Sequence, residues 1–131
     1  MITVIKSPFV QYKLTILRNK KTSNTVFRQT MNEISYLIAS DVLQYVPFKK
    51  QTIETPLKKM SGTALGQPII LVPILRAGLG LLEGFAKFLP EAEKGHIGLY
   101  RDEQTYEPVE YLFKLPRVKN KKVLILDPRL A

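Results

Sequence analysis

Arg76 stands between an uninterrupted apolar run, Ile69–Leu75, and a turn carrying Ala77, Gly78 and Gly80, after which an apolar-periodic segment resumes. A buried strand that feeds such a turn and then a helix presents backbone N–H groups at the positive end of the helix dipole, which favours an anion. The guanidinium adds a planar fork of donors suited to phosphate. A second apolar run, Val123–Leu126, delivers Asp127 at its end. In an open parallel sheet, ligands bind outside the carboxyl ends of the strands, so Arg76 and Asp127 are expected to face one crevice. The chemistry on offer is recognition of an oxyanion or phosphate on an α/β sheet.

The same stretch is a near miss of the dinucleotide fingerprint. Gly78 and Gly80 fit its first two glycines, but Glu83 takes the third place and Gly84 falls one residue late. A carboxylate there crowds the helix–strand contact and repels pyrophosphate, which counts against a Rossmann dehydrogenase.

The elements that must position these residues are legible in part. Pro8 to Arg18 reads as a short helix with Pro8 in its first turn, and Thr22-Ser23-Asn24 supplies N-cap candidates for a second. Phe27, Met31, Ile34, Ile38, Val42 and Tyr45 recur at spacings of three and four, the clearest amphipathic stripe in the chain, ending before Pro47. Residues 47–68, with two lysine pairs, three prolines and two glycines, read as a connecting segment with at most a short strand at Thr52–Thr55. Ile69–Leu75 suggests a strand buried on both faces, with Pro73 marking its end or a position off the central ladder. Leu82, Phe85, Ala86 and Leu89 form a helical stripe that Pro90 closes. Ile97–Tyr100 and Val109–Leu115 are predicted strands around a polar arm, Arg101–Pro108, the second strand placing Val109, Tyr111, Phe113 and Leu115 on one face. His96 reads as a loop residue, and Glu103 and Glu107 as solvated arm residues. No internal repeat or low-complexity tract is present.

A chain of 131 residues is the size of one domain, and 45% hydrophobic with 24% charged residues is ordinary for a globular protein. No apolar run reaches the roughly 18–20 residues that span a bilayer. The amino terminus lacks a secretory pattern. There is no cysteine, which excludes disulfides and thiolate metal sites, and a cytoplasmic location is the default. The net charge of +9 includes four lysine pairs, Lys20-Lys21, Lys49-Lys50, Lys58-Lys59 and Lys121-Lys122. It fits solvated loops or attraction to an anionic partner. No RNA motif, zinc-finger spacing or basic helix accompanies it, so dedicated nucleic-acid binding is a minority reading.

Three segments are far more specific. VPILRAGLG at Val72–Gly80, YRDEQTYEPVEY at Tyr100–Tyr111 and VLILDPRLA at Val123–Ala131 occur in that order, and together they closely resemble uracil phosphoribosyltransferase. SPFVQYKLTILRNKKTSNTVFR, Ser7–Arg28, resembles the opening helix and cap region of that family. The resemblance implies an α/β type I phosphoribosyltransferase fold, a parallel sheet flanked by helices with a β-arm, incomplete at the carboxyl end. Within one domain, 1–131, it implies amino-terminal helices at 8–46 and a core strand with pyrophosphate loop at 69–89. A β-arm follows at 97–116, and a last strand with the start of the phosphoribosyl loop at 123–131.

The implied reaction is uracil plus phosphoribosyl pyrophosphate giving uridine monophosphate and pyrophosphate, with Mg²⁺ held mainly through the substrate and no dedicated protein metal site. Carried over residue by residue, the substrate contacts are Arg76, Ala77, Gly78, Arg101, Asp127, Pro128, Arg129, Leu130 and Ala131, with Asp127 also in the catalytic role. A homo-oligomer and an allosteric nucleotide such as GTP belong to the same implication. Arg129 replaces the methionine usual in the family's loop, and either reaches a phosphate or faces water. The rest of that loop and the family's uracil-contacting segment are absent from the sequence, so the chain alone is expected to be inactive and to self-associate or aggregate through an uncovered sheet edge. The bland alternatives are a surface ion pair for Arg76, a solvated charge for Arg101 and a turn initiator for Asp127. Two other classes stay open: a non-catalytic truncated paralogue that pairs with a full-length subunit or an anionic partner, and an RNA-binding regulator.

Overall fold

The computed structural model describes residues 2–129. Ser7 caps helix α1 (Pro8–Arg18), its hydroxyl accepting the Val10 N–H at 3.4 Å. Pro8 sits in the first turn, where its missing donor costs nothing. Ser23 caps α2 (Asn24–Leu43) in the same way, accepting the Val26 N–H at 3.3 Å. Of the predicted stripe on α2, Ile34 is buried and Met31, Ile38 and Val42 pack against the core. Its ends, Phe27 and Tyr45, are exposed.

Burial on α2 passes instead to Thr30, Ser35 and Ala39, because α3 (Leu79–Phe88) lies close against it. The Ser35 hydroxyl donates to the Leu81 carbonyl and accepts the Gly84 N–H at 3.1 Å. A Cβ on Gly84 would run into Ser35 itself. Gly84 therefore serves a helix–helix contact rather than a helix–strand one. Glu83 faces outward and accepts from Asn32 Nδ2 of α2 at 2.7 Å.

Residues 47–68 depart from the sequence expectation. They form a hairpin of β1 (Phe48–Glu54) and β2 (Lys59–Leu65), antiparallel from Phe48↔Leu65 to Glu54↔Lys59. Thr55 closes its turn, donating from both N–H and hydroxyl to the Lys58 carbonyl. The hairpin is exposed almost throughout, so no alternating burial marks its strands in the sequence.

The main sheet is built on β3 (Ile69–Leu75), whose Ile69–Pro73 are all buried. Along one edge run β4 (Glu93–Lys94) and β5 (His96–Arg101), parallel to β3, as one strand interrupted at Gly95. The Gly95 N–H still bonds to the Leu71 carbonyl at 3.0 Å. β6 (Pro108–Lys114) pairs antiparallel with β5 to form the arm. Along the other edge of β3 lies β7 (Lys122–Leu126), parallel from Ile69↔Lys122 to Pro73↔Leu126. The sheet is thus mixed, parallel at its centre and antiparallel in the arm.

Pro73 does not end β3, which runs on to Leu75. It is tolerated because the pairing with β7 stops at Pro73 and that with β5 resumes at Ile74. His96 opens β5 rather than lying in a loop, and is half-buried. The predicted one-face alternation in β6 fails: Leu112 is half-buried while Tyr111 and Phe113 are exposed. The cause is a register shift opposite Gly98 and Leu99. β7 reads as a buried strand, yet only Leu126 is buried and Ile125 is 63% exposed. Among the described residues β7 is an edge strand, packed by α3 on one side. The core joins Ile69, Leu71 and Leu126 of the sheet to Leu81, Phe85 and Leu89 on and just beyond α3, with Ala39 and Val46.

Candidate functional site

The three parallel strands end on one side of the molecule, and a cavity of 760 Å³ opens there. It is lined by Arg76 and Ala77 after β3, Tyr100 and Arg101 at the end of β5, Tyr111 of β6, and Asp127 and Arg129 after β7. Residues from three separate stretches of sequence thus meet in one space. Arg76, Arg101 and Arg129 are exposed, and among the described residues none of them forms an ion pair. Three guanidinium groups against one carboxylate make the cavity strongly cationic.

Each element presents its side chain for a local reason. β3 leaves the core at Leu75, and the Leu75–Arg76 peptide bond is cis. The turn then closes tightly: Gly78 N–H donates to the Ile74 carbonyl at 2.7 Å, Leu79 N–H to Arg76 at 3.2 Å, Gly80 N–H to Ala77 at 3.1 Å and Leu81 N–H to Gly78 at 3.1 Å. The amides from Gly78 onward are therefore used inside the turn. That corrects the sequence expectation of free N–H groups at the start of α3. The amides of Arg76 and Ala77 have no backbone acceptor among the described residues, and these are the two turn residues that line the cavity.

Gly78 itself is buried beneath the turn and does not line the cavity. Its backbone is right-handed, φ −61°, so conformational freedom is not why glycine stands there. A Cβ at Gly78 would sit 2.6 Å from Ile74 N and 2.7 Å from Ile74 O, and would collide with the Leu126 carbonyl. Glycine lets the turn after β3 close onto the end of β7. That contact brings Arg76 and Asp127 to the same cavity.

Asp127 follows at once from buried Leu126. One of its oxygens accepts the Arg129 N–H at 3.1 Å, so it both shapes the turn and presents a carboxylate. Pro128 turns the other way and lines an apolar groove of 380 Å³ between the helices and β7. Leu130 and Ala131, also expected to contact substrate, lie outside the described residues.

On the arm, Arg101 is followed by Asp102, whose carboxylate accepts the N–H groups of Thr105 at 2.8 Å and Gln104 at 2.9 Å and the Thr105 hydroxyl at 3.1 Å. Those bonds, led by the Thr105 amide, hold the Asp102 carboxyl below the usual aspartate range. Glu103 and Glu107 are exposed, as expected. Sequence reasoning left Tyr100 and Tyr111 as strand residues. Their position astride the arm turn was the available signal.

The donor set is that of an anion site. Among the described residues, Asp127 is the acidic side chain on the cavity wall, beside three guanidinium groups. No helix of the described residues is long and apolar enough to cross a membrane.

Comparison with known proteins supplies the family. The profile for uracil phosphoribosyltransferase matches residues 4–131. Curated relatives named uracil phosphoribosyltransferase include one from Levilactobacillus brevis, 46% identical over 130 residues, covering 98% of this chain and 62% of the relative. One from Finegoldia magna is 46% identical over 132 residues, covering 99% and 63%. A solved structure of an Aquifex aeolicus protein superposes with a TM-score of 0.88 at 33% identity, covering 98% of this chain and 62% of that one. The chain thus spans about 62% of the length of the curated relatives it matches. It belongs to the uracil phosphoribosyltransferase family.

Proposed function

We propose that the cavity at the strand ends binds phosphoribosyl pyrophosphate, and that the protein to which this chain corresponds transfers its phosphoribosyl group to uracil, giving uridine monophosphate and pyrophosphate in pyrimidine salvage. The observation that carries this is the convergence of Arg76, Arg101, Arg129 and Asp127 on one 760 Å³ space. In the reaction the bond from C1 of the ribose to the pyrophosphate oxygen breaks with its electron pair leaving on pyrophosphate, N1 of uracil bonds to C1, and the N1 proton passes to water.

Departure of pyrophosphate leaves an oxocarbenium-like ribose. Arg76 and Arg101 neutralise the leaving group's developing charge, with the open amides of Arg76 and Ala77 beside them. Asp127 accepts from the ribose hydroxyls and favours the positive charge that forms. Arg129, on the same wall, extends the cationic surface toward a phosphate, and the proposed contacts with the substrate include Pro128, Leu130 and Ala131. Bound with the substrate, Mg²⁺ would supply counter-charge to the pyrophosphate beside Arg76 and Arg101, held mainly through the substrate.

The proposal includes a cytoplasmic enzyme, a homo-oligomer and control by a nucleotide such as GTP. The projecting β1–β2 hairpin favours association, since a two-stranded hairpin exposed on both faces is marginal by itself. That hairpin equally favours a second reading, in which this chain is a non-catalytic subunit paired with a full-length one.

The test is calorimetric titration of the chain with phosphoribosyl pyrophosphate and Mg²⁺, beside the variant Arg76→Ala. A charge-assisted phosphate contact is worth about 1.5–3 kcal/mol, so the variant should bind about ten- to a hundredfold more weakly. Equal affinity removes Arg76 from the site. Absence of binding by the unaltered chain leaves the non-catalytic reading.

A further inference from the structure

Tyr100 and Tyr111 line the same cavity as Arg76 and Arg101, and the chemistry above gives neither a role. Tyr111 is the residue left without a cross-strand partner where the register slips: Gly98 pairs with Leu112 and Leu99 with Glu110. A bulge of this kind re-aims the extra side chain. Here it lays the Tyr111 ring over Gly98, where a Cβ would come within 2.5 Å of ring atoms Cε2 and Cζ. Gly98 in turn pairs with Leu75 of β3, the residue before Arg76. The Tyr111 ring also meets that of Tyr100, centroids 6.1 Å apart and tilted by 41°, and Tyr100 precedes Arg101. A continuous path of paired and packed groups therefore joins the two arginines: Leu75, Gly98, Tyr111, Tyr100.

The arm has little else to steady it. Among the described elements β6 packs on β5 alone. A two-stranded hairpin does not hold its own orientation, so contacts at its base decide where its end lies.

The geometry points to Tyr111 as a positioning residue that, seated on Gly98 and braced by Tyr100, fixes the base of the β5–β6 arm and so holds Arg101 in the cavity with Arg76. The role belongs to the ring, because the contacts it makes are ring contacts. Gly98 is its other half: a side chain there would displace the ring. The inference rests on the proposed binding of phosphoribosyl pyrophosphate, and the test separates the two.

Affinity for phosphoribosyl pyrophosphate with Mg²⁺ is measured by calorimetry for the unaltered chain, Tyr111→Phe, Tyr111→Ala, Arg101→Ala and the double variant Tyr111→Ala/Arg101→Ala, with thermal unfolding as a check that each folds. A residue acting through Arg101 is non-additive with it, so Tyr111→Ala should weaken binding about tenfold alone and less than about twofold in the Arg101→Ala background. Tyr111→Phe should stay within about twofold of the unaltered chain, since it keeps the ring. Equal losses in both backgrounds, or a Tyr111→Phe as weak as Tyr111→Ala, overturn the inference.

Hydrogen exchange of the arm amides, residues 101–107, is read in the same variants without ligand. Tyr111→Ala should speed their exchange and Tyr111→Phe should leave it unchanged. If the unaltered chain binds no phosphoribosyl pyrophosphate, the proposed function fails for this chain, and exchange alone decides: an arm indifferent to Tyr111→Ala overturns the positioning role.

Discussion

Gly78→Ala puts the organisation of the site to a direct test. At φ −61° the substitution is conformationally neutral, and by reducing the freedom of the unfolded chain alanine should stabilise by about 0.4–1 kcal/mol. The surroundings oppose this. The new Cβ would lie 2.6 Å from Ile74 N, and ordinary contact begins at 3.4 Å. The Leu126 carbonyl oxygen is nearer still, so the turn must lift by more than about 0.8 Å, and overpacking of this kind costs about 1–3 kcal/mol. None of the obstructing atoms can rotate away, because all three nearest ones belong to the backbone of β3 and β7. The net expectation is a loss of about 1–2 kcal/mol, with the hydrogen bond from Gly78 N–H to Ile74 O lengthened.

Urea unfolding followed by far-ultraviolet circular dichroism reads this as a midpoint lower by about 1 M, for a slope of about 1–3 kcal/mol per M. Gly80→Ala is the control. Its Cβ would approach Met31 Cγ at 2.8 Å, the middle of a flexible side chain, so Met31 can yield while helix propensity contributes about 0.8–1 kcal/mol in favour. Gly80→Ala should be neutral or stabilising. A Gly78→Ala protein as stable as the unaltered one, or less harmed than Gly80→Ala, refutes the idea that the turn is closed onto the end of β7.

Ser35→Ala removes the hydroxyl that joins the Leu81 carbonyl to the Gly84 N–H inside the α2–α3 contact, and with it two buried hydrogen bonds, and should lower stability by about 1–3 kcal/mol. An unchanged melting temperature would contradict this. Asp102 has its folded pKa lowered by the Thr105 and Gln104 amides, so its hold on the arm tip is complete above the ordinary aspartate value of about 3.9 and is lost as pH falls through the lowered one. Protection of the Thr105 amide should accordingly be flat above about pH 4 and decline below it, and titration of Asp102 at or above the ordinary value would remove the cap.

Much of this architecture is local, and the sequence alone determined it. Pro8 in a first turn, and Thr22-Ser23-Asn24 ahead of a stripe, mark the starts of α1 and α2 because an N-cap or a first-turn proline needs only residues within one turn. The apolar run Ile69–Leu75 marks the central strand because burial on both faces tolerates no polar residue. Arg76, Arg101 and Asp127 were legible because each ends a recognisable strand or motif, and their meeting in one cavity follows from parallel strands ending on one side.

What the tertiary structure decided depends on which segments face one another. Of the β1–β2 hairpin only a short strand around Thr52–Thr55 shows locally, since its order comes from pairing across a turn and neither strand buries a face. Gly78 and Gly84 belong to one glycine-rich stretch of sequence, but one admits the end of β7 and the other the backbone of α2. The bulge at Tyr111 shifts a register that an alternating pattern cannot reveal. Close approach is a property of two segments at once, and a single stretch of sequence carries only half of it.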